Sequence, residues 1–242
     1  AEQDILIKVT VENRSKLPAP ITVLPTIWFR NTWSWGYENY KHKPTLTGIG
    51  KSIIEVNHRL VGHFNLYAEK AKNLLFCDNK TNFEKLYGST NPSVYTKDGI
   101  NDYVINKKLH SVNPEGKGTK ASVLYDDIIP GNGKKEYRLR FTNTYPEDAF
   151  EDFDTIFQKR IEEADEFYEP IQKGVKDEKL KSIQRQAYAG MLWTKQWYDY
   201  NVFEWLKGDP STPKPERGRN EGRNSTWKHL YTSNILSMPD KW

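Results

Sequence analysis

The sequence predicts an α+β chain in two parts, an antiparallel β-sandwich followed by a helical block, with the change of architecture near residue 146. Three observations carry this expectation. Before residue 146, short apolar runs alternate between Asn, Gly, Pro and Asp clusters. Beyond it, apolar residues recur at i, i+3, i+4 and i+7. The tryptophans also fall into two groups, Trp28, Trp33 and Trp35 in the first part, and Trp193, Trp197, Trp205, Trp227 and Trp242 in the second. With 242 residues the chain fits one large domain or two modest ones, enough to bury a core without disulfides.

The first strand is expected over residues 4–11, where Ile5, Ile7, Val9 and Val11 alternate with other residues and should share one buried face. Further strands are expected at 21–29, 52–57, 60–68, 73–77, 122–126 and 136–142. Turn signals such as Asn132-Gly133 separate them, and their spacing suits an antiparallel sandwich. The first helix follows Tyr145-Pro146, with Phe153, Ile156, Phe157, Ile161, Ala164, Phe167 and Tyr168 on one stripe. A second helix is expected over 177–206, carried by Leu180, Ile183, Ala187, Met191, Thr194, Trp197 and Val202 and stopped by Gly208-Asp209-Pro210. The Pro- and Arg/Gly-rich stretch from 210 to 224 reads as irregular.

Composition removes several classes of function. A lone Cys77 excludes a disulfide-built scaffold and argues against a Cys-based zinc site. Mean hydropathy is −0.82, and no apolar run approaches the roughly 20 residues of a membrane span. Thirty-six Lys and Arg against 32 Asp and Glu leave a net charge of +4, too mild to imply nucleic acid by itself. The aromatic content is 13%, and clustered indoles mark either a core or the wall of a site.

Several segments invite a chemical reading. In Thr26-Ile27-Trp28-Phe29-Arg30-Asn31-Thr32-Trp33-Ser34-Trp35-Gly36, an indole face could stack on a sugar while Arg30 and Asn31 bond its hydroxyls. The structural alternative puts Trp28 in the sandwich core and Trp33 and Trp35 in an interface. Residues 78–82 and 97–102 are Asp/Asn-rich but miss the calcium-loop spacing, so Asx turns explain them as well. Residues 113–120 hold Gly, Lys and Thr in an order that suggests a phosphate cradle, but a strand is expected to follow where the cradle needs a helix.

On a continuous helix over 184–200, Trp193 would share a face with Gln196 and Trp197, giving an aromatic wall beside an amide. The alternative is a helix buried in a larger helical assembly. Arg217–Arg223 with Trp227 offers a basic loop and a stacking platform for nucleic acid, but Glu216 and Glu221 weaken that reading and favour a structural loop organised by Arg hydrogen bonds. Spacing alone selects no carboxylate pair, catalytic triad or His ligand set.

Taken together, residues 24–36, 78–82, 112–114, 118–120, 163–168, 185–198 and 205–210 resemble the prokaryotic branch of glycoside hydrolase family 63. So do Trp227-Lys228-His229-Leu230 and Ser237-Met238-Pro239-Asp240-Lys241-Trp242. That branch includes relatives of α-glucosidase I and of mannosylglycerate and glucosylglycerate hydrolases. The resemblance implies an N-terminal β-sandwich over 1–146, incomplete at its start, and the first helices of a truncated (α/α)6 barrel over 147–242. It also implies an inverting α-glycosidase acting on α-glucosyl or α-mannosyl linkages, with acid and base carboxylates about 6.5–9.5 Å apart. By the same resemblance both carboxylates lie beyond Trp242, so no catalytic residue falls within this chain and the chain alone should be inactive.

The candidates for substrate binding that it implies are Trp193, Lys195, Gln196, Asp240 and Trp242. The implied partners are an oligosaccharide or glycoside and the remaining barrel helices, with no metal, cofactor, nucleic acid or membrane. Met191, Trp197 and Trp205 would then lie partly bare on a helix seam. A reading from another class is a carbohydrate-binding module that uses its tryptophans without cleavage. Both chain ends read as cuts through a longer protein with no signal peptide, and the single thiol favours a reducing compartment such as the cytoplasm. Three N-x-[ST] sequons, at Asn13, Asn79 and Asn224, fit a secretory route without arguing for it.

Overall fold

A computed structural model describes residues 3–237. The chain has mixed α and β content, with antiparallel sheets and five α-helices among the described residues. It divides into two units, one holding the residues up to Trp33 together with Asn39–Thr155, the other holding Ser34–Glu38 and the residues from Ile156 onward.

The first unit contains strands β1 (Asp4–Glu12), β2 (Ala19–Val23), β3 (Thr26–Trp28), β4 (Thr45–Ile49), β5 (Ile53–His58), β6 (Gly62–Ala68) and β7 (Asn73–Cys77). Two short helices follow, α1 (Phe83–Tyr87) and α2 (Gly99–Asn106), then β8 (Lys117–Gly118), β9 (Lys120–Ile129) and β10 (Lys134–Thr142). A six-stranded antiparallel sheet runs β1-β10-β6-β5-β4-β8, and a second sheet joins β2, β3 and β7 to β9. The sheets share one core: Leu46, Ile54, Val56, Leu66, Ala68 and Leu139 from the first meet Leu74, Phe76, Ala121, Val123 and Tyr125 from the second.

Sequence period explains which faces are buried. On β6, Phe64, Leu66 and Ala68 turn inward by the two-residue repeat. On β7 the run Leu74-Leu75-Phe76-Cys77 is buried throughout, because Leu74 and Phe76 enter the shared core while Leu75 and Cys77 join Ile100, Val112 and Leu124 in a second cluster under α2. A strand covered on both faces reads as a continuous apolar run. Burial pushes the Cys77 thiol up to about 12, which leaves it protonated and unreactive at neutral pH.

Several expectations are corrected here. Val9 and Val11 pack against the core, but Ile5 and Ile7 on the same strand are 53% and 39% exposed, because β1 is the edge strand and its first half lies at the rim. The strand expected over 21–29 is two strands, β2 and β3, divided at Leu24-Pro25, where the Pro25 carbonyl accepts from Val123 N at 2.9 Å. Trp28 is 58% exposed rather than in the core, since Ile27 and Phe29 on either side of it take the inward positions. Residues 97–102 run into helix α2, whose N-cap position is Asp98.

The Asp98 carboxylate accepts from Thr96 Oγ1 at 2.6 Å and Asn82 Nδ2 at 3.1 Å, the Asx-type chemistry open to that loop. Among the described residues no group of three His, Cys, Asp or Glu side chains could hold a metal. Residues 113–118 form a tight turn in which Asn113 Oδ1 accepts from Glu115 N and Gly116 takes a left-handed φ of 66°. It leads into β8 and β9 rather than a helix, so it is no phosphate cradle.

The outer face of the six-stranded sheet is partly polar and is covered by the segment after β10. Arg140 is 7% exposed; it forks onto Asp4 (Nε to Oδ1 2.9 Å, Nη2 to Oδ2 2.7 Å) and donates Nη1 to Asp152 at 2.6 Å and to the Ala149 carbonyl at 3.1 Å. Phe153 is fully buried, under Lys8 and Arg138.

The β5–β6 hairpin turns on His58, whose Nδ1 accepts from Leu60 N and Val61 N, both at 3.1 Å, while its ring stacks on Phe29 at 4.5 Å. An acceptor nitrogen cannot carry a proton, and burial holds the imidazole below its ordinary 6.5. The unfolded chain therefore takes up the proton first. Stability from this site is full above pH 6.5 and is lost as pH falls from there through the folded value. Urea unfolding across pH 7.5–5 should show that decline, and His58→Asn should flatten it; an unchanged slope in the variant would refute the assignment.

In the second unit, α3 (Phe153–Ile171) enters from the first, and α4 (Glu178–Trp193) packs back on it. Asp177 caps α4 by accepting from Lys179 N. The helix expected over 177–206 is interrupted: after Thr194 the chain forms strand β11 (Lys195–Asn201), then the short α5 (Val202–Lys207). Residues 195–201 are rich in Trp, Tyr, Asp and Asn, poor helix formers, and they pair antiparallel with β12 (Tyr231–Leu236). Asn201 Oδ1 caps α5 by accepting from Glu204 N at 3.3 Å, and Gly208 at φ 80° ends it as expected.

Candidate functional site

The candidate binding residues Trp193, Lys195 and Gln196 fall across the junction of α4 and β11. Trp193 is the last residue of α4 and is 83% exposed; Lys195 and Gln196 open the strand and are also exposed. Their expected arrangement is therefore corrected. Gln196 and Trp197 do not share a helix face with Trp193, because the helix has already ended. On a strand, neighbouring side chains point to opposite faces, so Lys195 and Trp197 lie on one side and Gln196 on the other. Opposite them on β12 stand Leu236, Ile235 and Asn234, in register with Lys195, Gln196 and Trp197. The other two candidates, Asp240 and Trp242, lie outside the described residues.

The β11–β12 pair carries an aromatic surface shaped by a bulge between Trp197 and Tyr200, where Asp199 takes a left-handed φ of 52°. Tyr231 Oη donates to Asp199 Oδ1 at 3.2 Å. Tyr198 meets Tyr200 edge-on at 5.8 Å, and Tyr200 meets Trp205 at 6.3 Å. Arg219 closes the row, its guanidinium 5.0 Å over the Trp205 ring and its Nη1 donating to the Trp205 carbonyl at 2.9 Å. The Arg217–Arg223 loop thus spends Arg219 on structure, and Trp227 stacks on its neighbour His229. Met191, Trp197 and Trp205 are 72%, 50% and 39% exposed.

The tryptophans of the first cluster are dispersed. Trp28 ends β3 on the surface, and the Trp33 indole nitrogen is buried without a hydrogen-bond partner among the described residues. In the second unit, the Trp35 carbonyl accepts from Ser211 N at 3.1 Å and Tyr37 Oη donates to Asp209 Oδ1 at 3.2 Å. Gly36 between them has φ 88°, and a Cβ there would sit 2.3 Å from Ser211 Oγ, so only glycine fits. Asp209, which sequence reading assigns only to a helix stop, thus also holds Ser34–Glu38.

Sequence reasoning missed two open depressions. One, of about 410 Å³, lies beside β4 and is lined by Lys43, Thr45, Asp78, Tyr95, Asn113 and Lys117. Asp78 pairs with Lys43 at 3.0 Å and accepts from Ser93 Oγ at 2.8 Å, so its charge is already matched. The other, of about 920 Å³, lies where α3 meets α4 and is lined by charged groups including Asp165, Glu169, Lys173, Glu178 and Arg185. Neither includes Trp193, Lys195 or Gln196. Asp78, Asn113 and Lys117 lie in segments that the sequence singles out, but no sequence signal joins those segments or marks the second depression, since the lining residues come together only through the fold.

No protein-family model matches the chain. It is similar to an uncharacterized protein of Saccharomyces cerevisiae, 37% identical over 276 aligned positions that cover 97% of this chain. The chain spans about a quarter, 25%, of the length of that curated relative.

Proposed function

We propose that these residues are the N-terminal part of an inverting α-glycosidase of glycoside hydrolase family 63. On this reading the first unit is its β-sandwich and the second holds the opening helices of an (α/α)6 barrel. The observation that carries the reading is the exposed junction of α4 and β11, which sets an indole, an ammonium and an amide within four residues on an otherwise aromatic surface. An indole face stacks on the apolar face of a pyranose, and from opposite faces of β11 Gln196 offers a donor and an acceptor, and Lys195 donors, to hydroxyls of different sugar units. The reaction would be hydrolysis of an α-glucosyl or α-mannosyl linkage in oligosaccharides or glycosylglycerates. The acid that protonates the leaving oxygen and the base that activates water would lie outside these 242 residues.

The test is an assay of the natural gene's full product on α-glucosides, mannosylglycerate and glucosylglycerate, with the anomer of the released sugar read by NMR. The expected result is hydrolysis with inversion by the full product, none by the 242-residue chain, and a rise of about ten-fold in KM for Gln196→Ala with kcat little changed. No hydrolysis by the full product would refute the reading. A second reading, glycan binding without cleavage, is favoured by the 83% exposure of Trp193. Saturable glycan binding by the 242-residue chain, abolished by Trp193→Ala, with no hydrolysis by the full product, would put it first.

A further inference from the structure

Four segments that the sequence singles out, and that the proposed hydrolysis leaves unused, meet at one place in the first unit. Asn79 joins three of them: its backbone N donates to Thr119 Oγ1 at 2.7 Å, and its Nδ2 donates to the Phe29 carbonyl at 2.8 Å. The fourth is tied in at Lys97, whose N donates to the Lys80 carbonyl at 2.9 Å and whose own carbonyl accepts from Lys120 Nζ at 2.7 Å. Trp28 stands directly opposite Lys120 in the β3–β9 ladder.

The ladder fixes which way these side chains point. Ile27 and Ala121 form one pair and face the shared core, so the next pair, Trp28 and Lys120, lies on the outer face of the second sheet. Cys77, Lys120 and Trp28 make one row across that face. At one end Cys77 is buried in the cluster with Ile100 of α2; at the other the Trp28 indole is 58% exposed. An indole left in water forgoes a large apolar burial, and its flat face is open to receive a ring. Charge around it is one-sided. Each acid of the two loops already has a cation: Asp78 has Lys43 at 3.0 Å, Asp98 has Lys85 at 3.5 Å and Asp102 has Lys108 at 3.1 Å. Among the described residues Lys80 and Lys97 have no ion pair, so their charge is left for a ligand.

We infer that Trp28, Lys80, Lys97 and Lys120 form a binding site for an acidic saccharide, a pyranose that carries a carboxylate or a phosphate. The apolar face of the ring lies on the indole, and the ammonium groups of Lys80 and Lys97 meet the anion. Lys120 holds the Lys97 loop beside the indole through its bond to the Lys97 carbonyl. The choice of ligand follows from the donors. An ammonium has three donors and no acceptor, so the rim of this platform suits a ring edged with oxygen. A nucleobase, whose edge carries N–H donors as well, would find no side-chain acceptor among these four residues. The site shares no residue with the junction of α4 and β11 and does not need the glycosidase reading.

The test is an NMR titration of the isotope-labelled 242-residue chain, following the Trp28 indole N–H, which Trp28→Ala identifies by its loss. The probes are tetragalacturonate, glucose 6-phosphate, neutral maltotetraose and tetrathymidylate. At least one acidic sugar should bind at least about ten-fold more tightly than maltotetraose and lose most of that margin between about 50 and 300 mM salt. Binding of tetragalacturonate alone would identify the anion as a carboxylate, and of glucose 6-phosphate alone as a phosphate. Lys80→Gln with Lys97→Gln should remove the salt-sensitive margin and leave the neutral sugar's affinity unchanged. Trp28→Ala, read at the Lys97 amide, should weaken the acidic sugar at least about five-fold while the resonances of residues 45–77 stay in place. Trp193→Ala should change none of this, which separates the site from the α4–β11 junction. Equal affinity for maltotetraose would overturn the proposal, as would no shift with either acidic sugar at about 10 mM. Tightest binding by tetrathymidylate would overturn it in favour of nucleic acid, and full retention of the margin in the double lysine variant would overturn the assignment of the anion.

Discussion

Replacing Arg140 by Ala should cost about 3–5 kcal/mol, the range for removing one partner of a buried ion pair. The guanidinium is 8% exposed and forks onto Asp4, itself only 15% exposed, so the variant leaves a carboxylate with little water and no counter-charge. It also releases the Ala149 carbonyl and Asp152, which tie the segment after β10 to the sheet. Urea unfolding should show the loss, and Asp4→Asn in the Arg140→Ala background should recover part of it, because the uncompensated charge is then gone. The hydrogen bond from Arg140, with its positive charge, holds the Asp4 carboxyl below its ordinary 3.8. A lowered carboxylate value means that its contribution is present above pH 3.8 and is lost as pH falls through the folded value. Arg140→Ala should therefore weaken acid dependence below pH 4. A loss under about 1 kcal/mol, or no recovery in the double variant, would show that the pair is a surface ornament rather than a tie.

Much of this unit was legible in the chain because its signal is local. Alternation marked β6, and the short apolar run at residues 74–77 marked a strand, both local patterns that survive any tertiary arrangement; that the run is covered on both sides emerges only from the structure. Thr45–Ile49 escaped because Thr, Gly and one buried Leu give no clear period, and its strand character comes from β5 beside it. Helix α2 escaped because its buried residues, Gly99 and Ile100, are adjacent rather than spaced by three or four.

The candidate site was less legible, for a specific reason. From Leu180 to Met191 the helical period is real, and Thr194, Trp197 and Val202 happen to extend it in sequence. The competing choice is made by Tyr231–Leu236, some 35 positions away, which pairs with residues 195–201 and converts them to strand. A local period cannot register such a distant partner. The exposed stripe of α4 has the same root, since amphipathicity says that a face must be covered but not by what.

Phe76→Ala should cost about 4 kcal/mol, within the range of 3–5 for deleting a buried aromatic ring. Phe76 is 2% exposed at the middle of the shared core, and its ring lies close enough to β4 that a Cβ on Gly48 would meet it at 3.1 Å. The ring occupies the space that glycine leaves, so removing it opens a void that rigid sheets on both sides cannot close. For a urea slope of about 2–3 kcal/mol per molar, the unfolding midpoint should fall by roughly 1–2 M. The same contact makes a reciprocal prediction. Gly48→Ala should destabilise the native chain yet cost less in a Phe76→Leu background, where the smaller side chain yields to the added methyl. Strictly additive losses would mean that the ring and the glycine do not meet, and the close approach between β4 and β7 would have to be abandoned.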